Sequence, residues 1–356
     1  MAAPVHARPV ADPSAPPPAL VPAPGSRSGD SPREPRVSVV VGAHTRVQFL
    51  KRAVESVVRQ GAGAPGADEI IVVKFVEDRD GLDAELRRLG ARVFITDQPQ
   101  PGAKFAEGIK LATGDVICYL DDDDVFLPGK VQRVREVFRD PRVVLHGHRY
   151  LPFTGTPPEH GEMGPLRLYN TALGDQYWDG LRPVVSSCVS VRAEMIRPWV
   201  DDLMQLGVSD HTTFMMAVMA RKWIAMDRSI LSAWQLNQVK GVLRPANSIW
   251  AEAHGRAGAE NTIRWMLGQL DAQTDGVRET LNPIVVRSII HLVFKTGDTQ
   301  FHEYRRTMRG LLAGVGVRRP LVVGTTLLFA YPLSPRLAVA LSQAWTRLVG
   351  FRFNPA

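Results

Sequence analysis

Residues 116–130 read VICYLDDDDVFLPGK: an apolar run of strand length that stops at four consecutive aspartates and resumes with an aromatic, a proline and a lysine. Neighbouring carboxylates about 6 Å apart repel by roughly 3 kcal/mol at an effective dielectric near 20. The run therefore requires either that the acids fan into water or that a cation sits among them. Carboxylates at a strand end make a hard oxygen site, suited to Mn²⁺ or Mg²⁺ rather than zinc. Such an ion is usually held by one or two carboxylates plus substrate phosphates, so four acids exceed what a metal needs. The surplus predicts other partners, such as a ribose hydroxyl or backbone amides. Pro128 suits the first turn of a following helix, and an acid before it favours the helix dipole. The plain alternative is a capping acidic turn with no metal.

Working outward, strand-like and helical patterns alternate on both sides of this run. RVSVVVGAH (36–44) is a β-branched strand, and RVQFLKRAVESVVRQ (46–60) carries apolar residues at helical spacing. Strand EIIVVK (69–74), helix 80–90, strand ARVFIT (91–96), helix 103–113, strand DVICYL (115–120), helix 128–138 and strand VVLHGH (143–148) follow. The strands are apolar on both faces, which predicts a mostly parallel α/β sheet covered by helices on both sides. Ligands of such sheets bind beyond the carboxyl ends of the strands, where the aspartates lie. From 151 to 245 the pattern loosens. A strand-like VVSSCVSVRAEMI (184–196) and a helix over 209–222 stand out, and residues 249–272, 279–297 and 300–313 read as helices.

Bulk properties set the boundaries. Residues 1–35 hold ten of the 27 prolines and read as a disordered Pro/Ala-rich tail. Two cysteines, Cys118 and Cys188, make no disulfide framework, so a reducing cytoplasmic compartment is expected. No signal peptide and no run of about 18 apolar residues is evident. The net charge of +7 is concentrated: residues 281–356 hold ten Lys or Arg against two Asp or Glu. That basic end, with apolar stretches broken by Pro332 and Pro335, suits an anionic membrane surface. It predicts peripheral contact at the inner face of the cell membrane, with packing on the main domain as the alternative. No nucleic acid is expected as a partner.

The order VSVVVGAHTR, EIIVVK, GAKFAEGIKLATGDVICYLDDDDVFLPGK resembles the family 2 glycosyltransferases. Gly108, Ile109, Ala112, Gly114, Asp115, Ile117, Leu120, Asp121, Asp123, Asp124, Phe126, Pro128 and Lys130 match its motif. The resemblance covers residues 36 to about 140 well and is weaker beyond 150. It implies the Rossmann-like GT-A fold over 36–245, with a nucleotide-binding half (36–150) and an acceptor half (151–245), followed by a basic helical region (246–356). It implies a nucleotide-diphosphate sugar as donor, while a glycan or lipid-linked cell-envelope acceptor is suggested by the basic, apolar C-terminal end alone. Donor contacts are then expected from Val41, Gly42, Ala43, Arg46, Lys74, Lys104, Asp121 and Asp122, with Asp123 and Asp121 on a Mn²⁺ or Mg²⁺ ion.

Three positions depart from the family form. His44 and Gly42 replace a tyrosine and a proline, Lys74 and Phe75 stand where two acids are usual, and Phe105 and Ala106 replace an Arg-Asn pair. The nucleotide base is left open by these changes. On the acceptor side, GVSDHTTFMMAVMARK (207–222) is similar to the element that carries the catalytic base of inverting members, which places Asp210 in that role. His211 is the reserve candidate, and a helix N-cap is the plain alternative. Trp178 and Trp234, with Tyr177, are candidate acceptor-stacking rings, although core packing explains aromatics as well. His146 and His148 alternate on a strand, but no cysteine or acid completes the spacing of a zinc site. AWQLNQVKG (233–241) lacks the QxxRW arrangement of processive synthases, which favours single addition. The competing classes are a nucleotidyltransferase of similar architecture, which normally has a Gly-rich loop after its first strand, and a non-catalytic nucleotide-sugar binder. No GxGxxG supports dinucleotide binding.

Overall fold

Strand β1 (Val37–Ala43) shows why the sheet is buried on both faces: Val37, Val39 and Val41 enter one apolar core and Val40 the other. The same division holds in β2 (Glu69–Lys74), β3 (Ala91–Ile95) borders it at the sheet edge, and β4 (Val116–Asp121) repeats the alternation. Helix α1 (Val47–Val58) turns Leu50, Ala53, Val54 and Val57 onto the first face. Helix α2 (Leu82–Arg88) is started by Asp78, whose carboxylate accepts the Leu82 and Asp83 N–H groups at 3.0 and 3.3 Å. Helix α3 (Pro101–Leu111) opens on a proline, as a first turn allows, and covers the second face.

The computed structural model describes residues 33–44, 46–61, 66–75, 77, 78, 80–171, 185–207, 210–236, 238, 239, 242, 243, 253–274, 276–278, 280–282, 284 and 285. Past the aspartates come β5 (Val125–Phe126) and then Gly129, whose φ of +84° turns the chain into α4 (Lys130–Phe138). There follow β6 (Val143–Phe153), β7 (Leu166–Asn170), a 3₁₀ turn (Ser186–Cys188), β8 (Val189–Arg192), α5 (Ala193–Ile196) and α6 (Val200–Leu203). Helix α7 (Asp210–Met219), β9 (Trp223–Gln235), a hairpin of β10 (Gln238–Val239) and β11 (Val242–Leu243), and α8 (Ala253–Asp271) complete the described chain.

The main sheet runs β3-β2-β1-β4-β8-β6-β9-β5, with β7 paired to β9. Pairing is parallel from β3 to β4, as the alternating pattern requires, and again between β6 and β9. Antiparallel pairs join β4 to β8, β8 to β6, and β9 to both β5 and β7. Helix α8 shares the second core through Ala259, Ile263, Met266 and Leu270, and Trp265 Nε1 donates to Asp202 at 2.9 Å. The start of the C-terminal region is thus packed on the same sheet.

Two stretches differ from the sequence pattern. Residues 184–196 read as one strand, but the described part divides into a 3₁₀ turn, four strand residues and a helical turn. The turn is closed by Cys188 N–H donating to Val185 O at 2.8 Å. Strand β6 continues five residues past the expected end at 148, through register shifts that spoil its alternation.

Candidate active site

Strand register gathers the site. Gly42 lies beside Asp121 on one flank and Val73 on the other, and Ala43 lies beside Lys74. Val41, Gly42, Ala43, Lys74 and Asp121 therefore meet at the carboxyl edge of the parallel strands, where α/β sheets take their ligands. Helix α3 backs this edge. A methyl group at Gly42 would stand 3.3 Å from the Phe105 ring and 3.5 Å from the Lys104 side chain.

The four aspartates have four different environments. Asp122 accepts the His44 N–H at 3.0 Å and an Arg46 guanidinium N–H at 2.7 Å. Asp123 is ion-paired with the other arm of Arg46. Asp124 is fully buried, accepting from the Ser187 hydroxyl at 2.6 Å and the Gln235 N–H at 3.0 Å. Asp121 is half-buried, and its carboxylate accepts no hydrogen bond among the described residues. Its own N–H donates to Ser187 Oγ at 3.1 Å. Part of the missing cation is thus a side chain, Arg46, and part of the surplus acid is committed to Ser187 and to Gln235 at the end of β9.

Charge remains unbalanced. Burial and then the Asp123 charge push Asp121 up to about 7, against the opposing pull of Arg46. The charge of Asp210, the first residue of α7, adds to that rise. Burial, Asp123 and Asp121 push Asp124 well above the carboxylate range, despite its hydrogen bonds. Burial opposes the charge on Arg46, yet the carboxylates outweigh it, Asp122 and Asp123 foremost, and raise its pKa further. A half-open, unbonded carboxylate beside Asp123, in a field that resists its ionisation, fits a divalent cation with oxygen preference. Among the described residues no group of three or more His, Cys, Asp or Glu forms a self-sufficient metal cage.

Two of the expected basic donor contacts are ion-paired within the chain. Arg46 is the first, through Asp122 and Asp123. Lys74 is the second: its ammonium is buried 2.6 Å from Asp83 of α2, so the lysine at the acid-pair position brings its own counter-charge. Phe75 stacks on His44 with ring centroids 5.1 Å apart. Lys104 lies 5.7 Å from the Phe75 centroid and donates to the Pro99 and Gln100 carbonyls, each at 3.2 Å. Burial lowers its pKa to about 8.

On the acceptor side, Asp210 opens α7, and its Oδ1 accepts the His211 N–H at 2.8 Å. An acid in this first turn is favoured by the dipole. Trp234 packs edge-on against Tyr150 at 5.6 Å, and Trp178 and Tyr177 lie outside the described residues. His146 and His148 are buried in a separate network. His148 contacts Lys130 and the Arg149 carbonyl, and His146 faces Asp227 at 3.4 Å.

Ser187, Gln235, Arg52 and Asp83 carried no signal in sequence. Arg52 donates to the Asp123 carbonyl at 3.0 Å and to Gln235 Oε1 at 2.8 Å, which ties α1 to the aspartate turn and to the end of β9.

Parallel strands ending in a carboxylate cluster, continued by strands paired mostly antiparallel, define a GT-A glycosyltransferase fold. The solved structure of S. aureus TarS 1-349 in complex with UDP-GlcNAc shares it, at TM-score 0.55 and 13% identity over 88% of this chain and 92% of that one. A second structure of TarS 1-349 gives TM-score 0.50 and 15% identity over 86% and 83% of the two chains. Residues 38–198 match the family described as Glycosyl transferase family 2. An uncharacterized glycosyltransferase of Nostoc sp. is 33% identical over 115 residues, 31% of this chain. The match spans 34% of that relative's length.

Proposed function

We propose that the chain transfers a sugar from a nucleotide-diphosphate donor to an acceptor hydroxyl, with inversion at the anomeric carbon. The observation that supports the reading is the carboxylate cluster at the edge where β1, β2 and β4 end, with Asp210 supplied by the first turn of α7. Val41 to Ala43, with Lys104 nearby, border the donor's nucleotide. Asp121 and Asp123 would hold a Mn²⁺ or Mg²⁺ ion on its diphosphate, and Asp121 or Asp122 would meet the ribose. Bound there, the ion supplies electrostatic stabilisation of the departing diphosphate. Asp210 accepts the acceptor hydroxyl's proton as that oxygen forms its bond to the anomeric carbon. The bond from that carbon to the diphosphate breaks, and its electron pair leaves with the phosphate oxygen. Attack opposite the leaving group inverts the centre.

Trp234, His211 and Trp178 are assigned to the acceptor side. A lipid-linked or cell-envelope glycan is the acceptor class that the basic C-terminal end favours, through peripheral contact with an anionic membrane face. Residues 286–356 lie outside the described residues. No helix among the described residues is long and apolar enough to cross a membrane. UDP-sugars, with which TarS has been crystallised, are the first donors to screen.

The test is Asp210→Asn. Donor binding is expected to be unchanged while turnover falls by at least about a hundredfold, as loss of a general base requires. Full turnover in this variant would remove Asp210 from the mechanism.

A further inference from the structure

We infer that Ser187 is a positioning residue that fixes the aspartate turn from the acceptor half of the chain. The inference rests on the proposed metal and donor site. Ser187 is completely buried at the 3₁₀ turn that precedes β8, two residues after the described chain resumes at Val185. Its hydroxyl is used in both directions. It donates to Asp124 Oδ2 at 2.6 Å and accepts the Asp121 N–H at 3.1 Å. One side chain thus spans the turn, holding the residue before it by the backbone and the residue at its end by the carboxylate.

The remaining contacts show what this bridge fixes. The other oxygen of Asp124 accepts the Gln235 N–H at 3.0 Å, so both of its oxygens are held by the acceptor half. The Ser187 carbonyl accepts the Ser232 hydroxyl at 2.7 Å, which ties the bridge to β9. Asp122 and Asp123 are held from the other side by Arg46, and the Asp123 carbonyl by Arg52. Asp121 differs: its carboxylate has no hydrogen bond among the described residues, so its aim depends on its backbone. That backbone is held by the β1 ladder and by Ser187.

Partners that orient a metal-binding carboxylate without touching the ion set its affinity, and their loss commonly weakens it 10- to 100-fold. Ser187 holds this place for Asp121. Residues 185–188 thus meet both ends of the aspartate turn through the Ser187 hydroxyl.

The experiment compares Ser187→Ala with Ser190→Ala in the full chain. Ser190 is a buried neighbour on β8 whose hydroxyl meets Cys118 Sγ at 3.3 Å and touches no aspartate. Mn²⁺ is titrated calorimetrically in the presence of whichever of UDP and GDP the unaltered chain binds, and amide exchange is followed at Asp121 and at Val39. For Ser187→Ala, a Mn²⁺ Kd raised about tenfold is expected, with under about a twofold change for Ser190→Ala. Exchange at Asp121 is expected to quicken at least about tenfold while Val39 is unaffected. Equal losses of Mn²⁺ affinity in the two variants, or equal acceleration at both amides, would reduce Ser187 to a core residue and overturn the inference. An unchanged Kd would overturn it too. If the unaltered chain binds neither nucleotide with Mn²⁺, the functional reading fails separately. The exchange comparison then decides the bridge.

Discussion

Gly108 on α3 faces Val40 of β1 so closely that an added methyl would lie 2.1 Å from Val40 Cγ1 and 3.0 Å from Cγ2. Ordinary carbon contacts are about 3.5–4.0 Å, so Gly108→Ala must drive helix and strand apart by roughly 1.5 Å. Overpacking of this kind costs about 1–3 kcal/mol, and the severity of this overlap places it at the upper end. Alanine returns about 1 kcal/mol in helix propensity over glycine. The net expectation is a loss of about 2 kcal/mol. Val40 is fully buried, so Val40→Ala alone is destabilising as well, by about 2 kcal/mol. In the double variant the new methyl occupies the space that the valine vacates, so the two losses are not additive. A coupling of about 2 kcal/mol in favour of the pair is expected, from urea unfolding of all four proteins with a common m-value. Additive losses would refute the close α3–β1 packing. Because β1 ends in Val41–Ala43, Gly108→Ala is also expected to weaken donor binding, and Val40→Ala to restore part of it.

Two further predictions concern charge. Asp227 is buried, accepts from Arg133 Nε at 2.7 Å and the Ser229 N–H at 2.9 Å, and faces His146. Burial works against its charge, but His146, Arg133 and Ser229 together outweigh it and hold its carboxyl below the ordinary range. Its contribution is therefore complete above the unfolded value of about 3.9 and fades as pH falls below it. Asp227→Asn is expected to cost about 3–5 kcal/mol in urea unfolding at pH 7, with the gap to the unaltered chain closing toward pH 3. Lys104 titrates near 8 because burial disfavours its ammonium. Affinity for the anionic donor is then expected to decline as pH rises through about 8, and Lys104→Arg to flatten that profile, measured by titration calorimetry from pH 6.5 to 9.5.

The fold of residues 36–150 was legible because its strands are apolar on both faces and its helices on one. Runs such as VSVVV and VICYL have few other uses in a chain of this composition. Strand β9 was not legible, since Asp227, Ser229 and Ser232 are buried in it and mask the alternation of a strand. The two residues of β5 are too few to carry a period. At the site, the carboxylates and Asp210 stood out in the sequence as candidates, but their hydrogen-bond and ion-pair partners did not. Arg46 to Asp123, Ser187 to Asp124 and Lys74 to Asp83 are contacts between distant or turn-separated residues, and no local spacing encodes them. The four aspartates look alike in sequence. Packing divides them into one half-open carboxylate, two paired with an arginine and one buried under hydrogen bonds.

The central claim is a metal-dependent nucleotide-sugar site at the end of β4. Its most direct test is calorimetric titration of the full chain with nucleotide diphosphates and their sugars, in Mn²⁺ and in EDTA, alongside Asp123→Ala. The account predicts that a nucleotide binds in Mn²⁺, that EDTA abolishes the binding, and that Asp123→Ala abolishes it with metal present. Equal affinity in Mn²⁺ and EDTA, or an Asp123→Ala variant that binds like the unaltered chain, would contradict it.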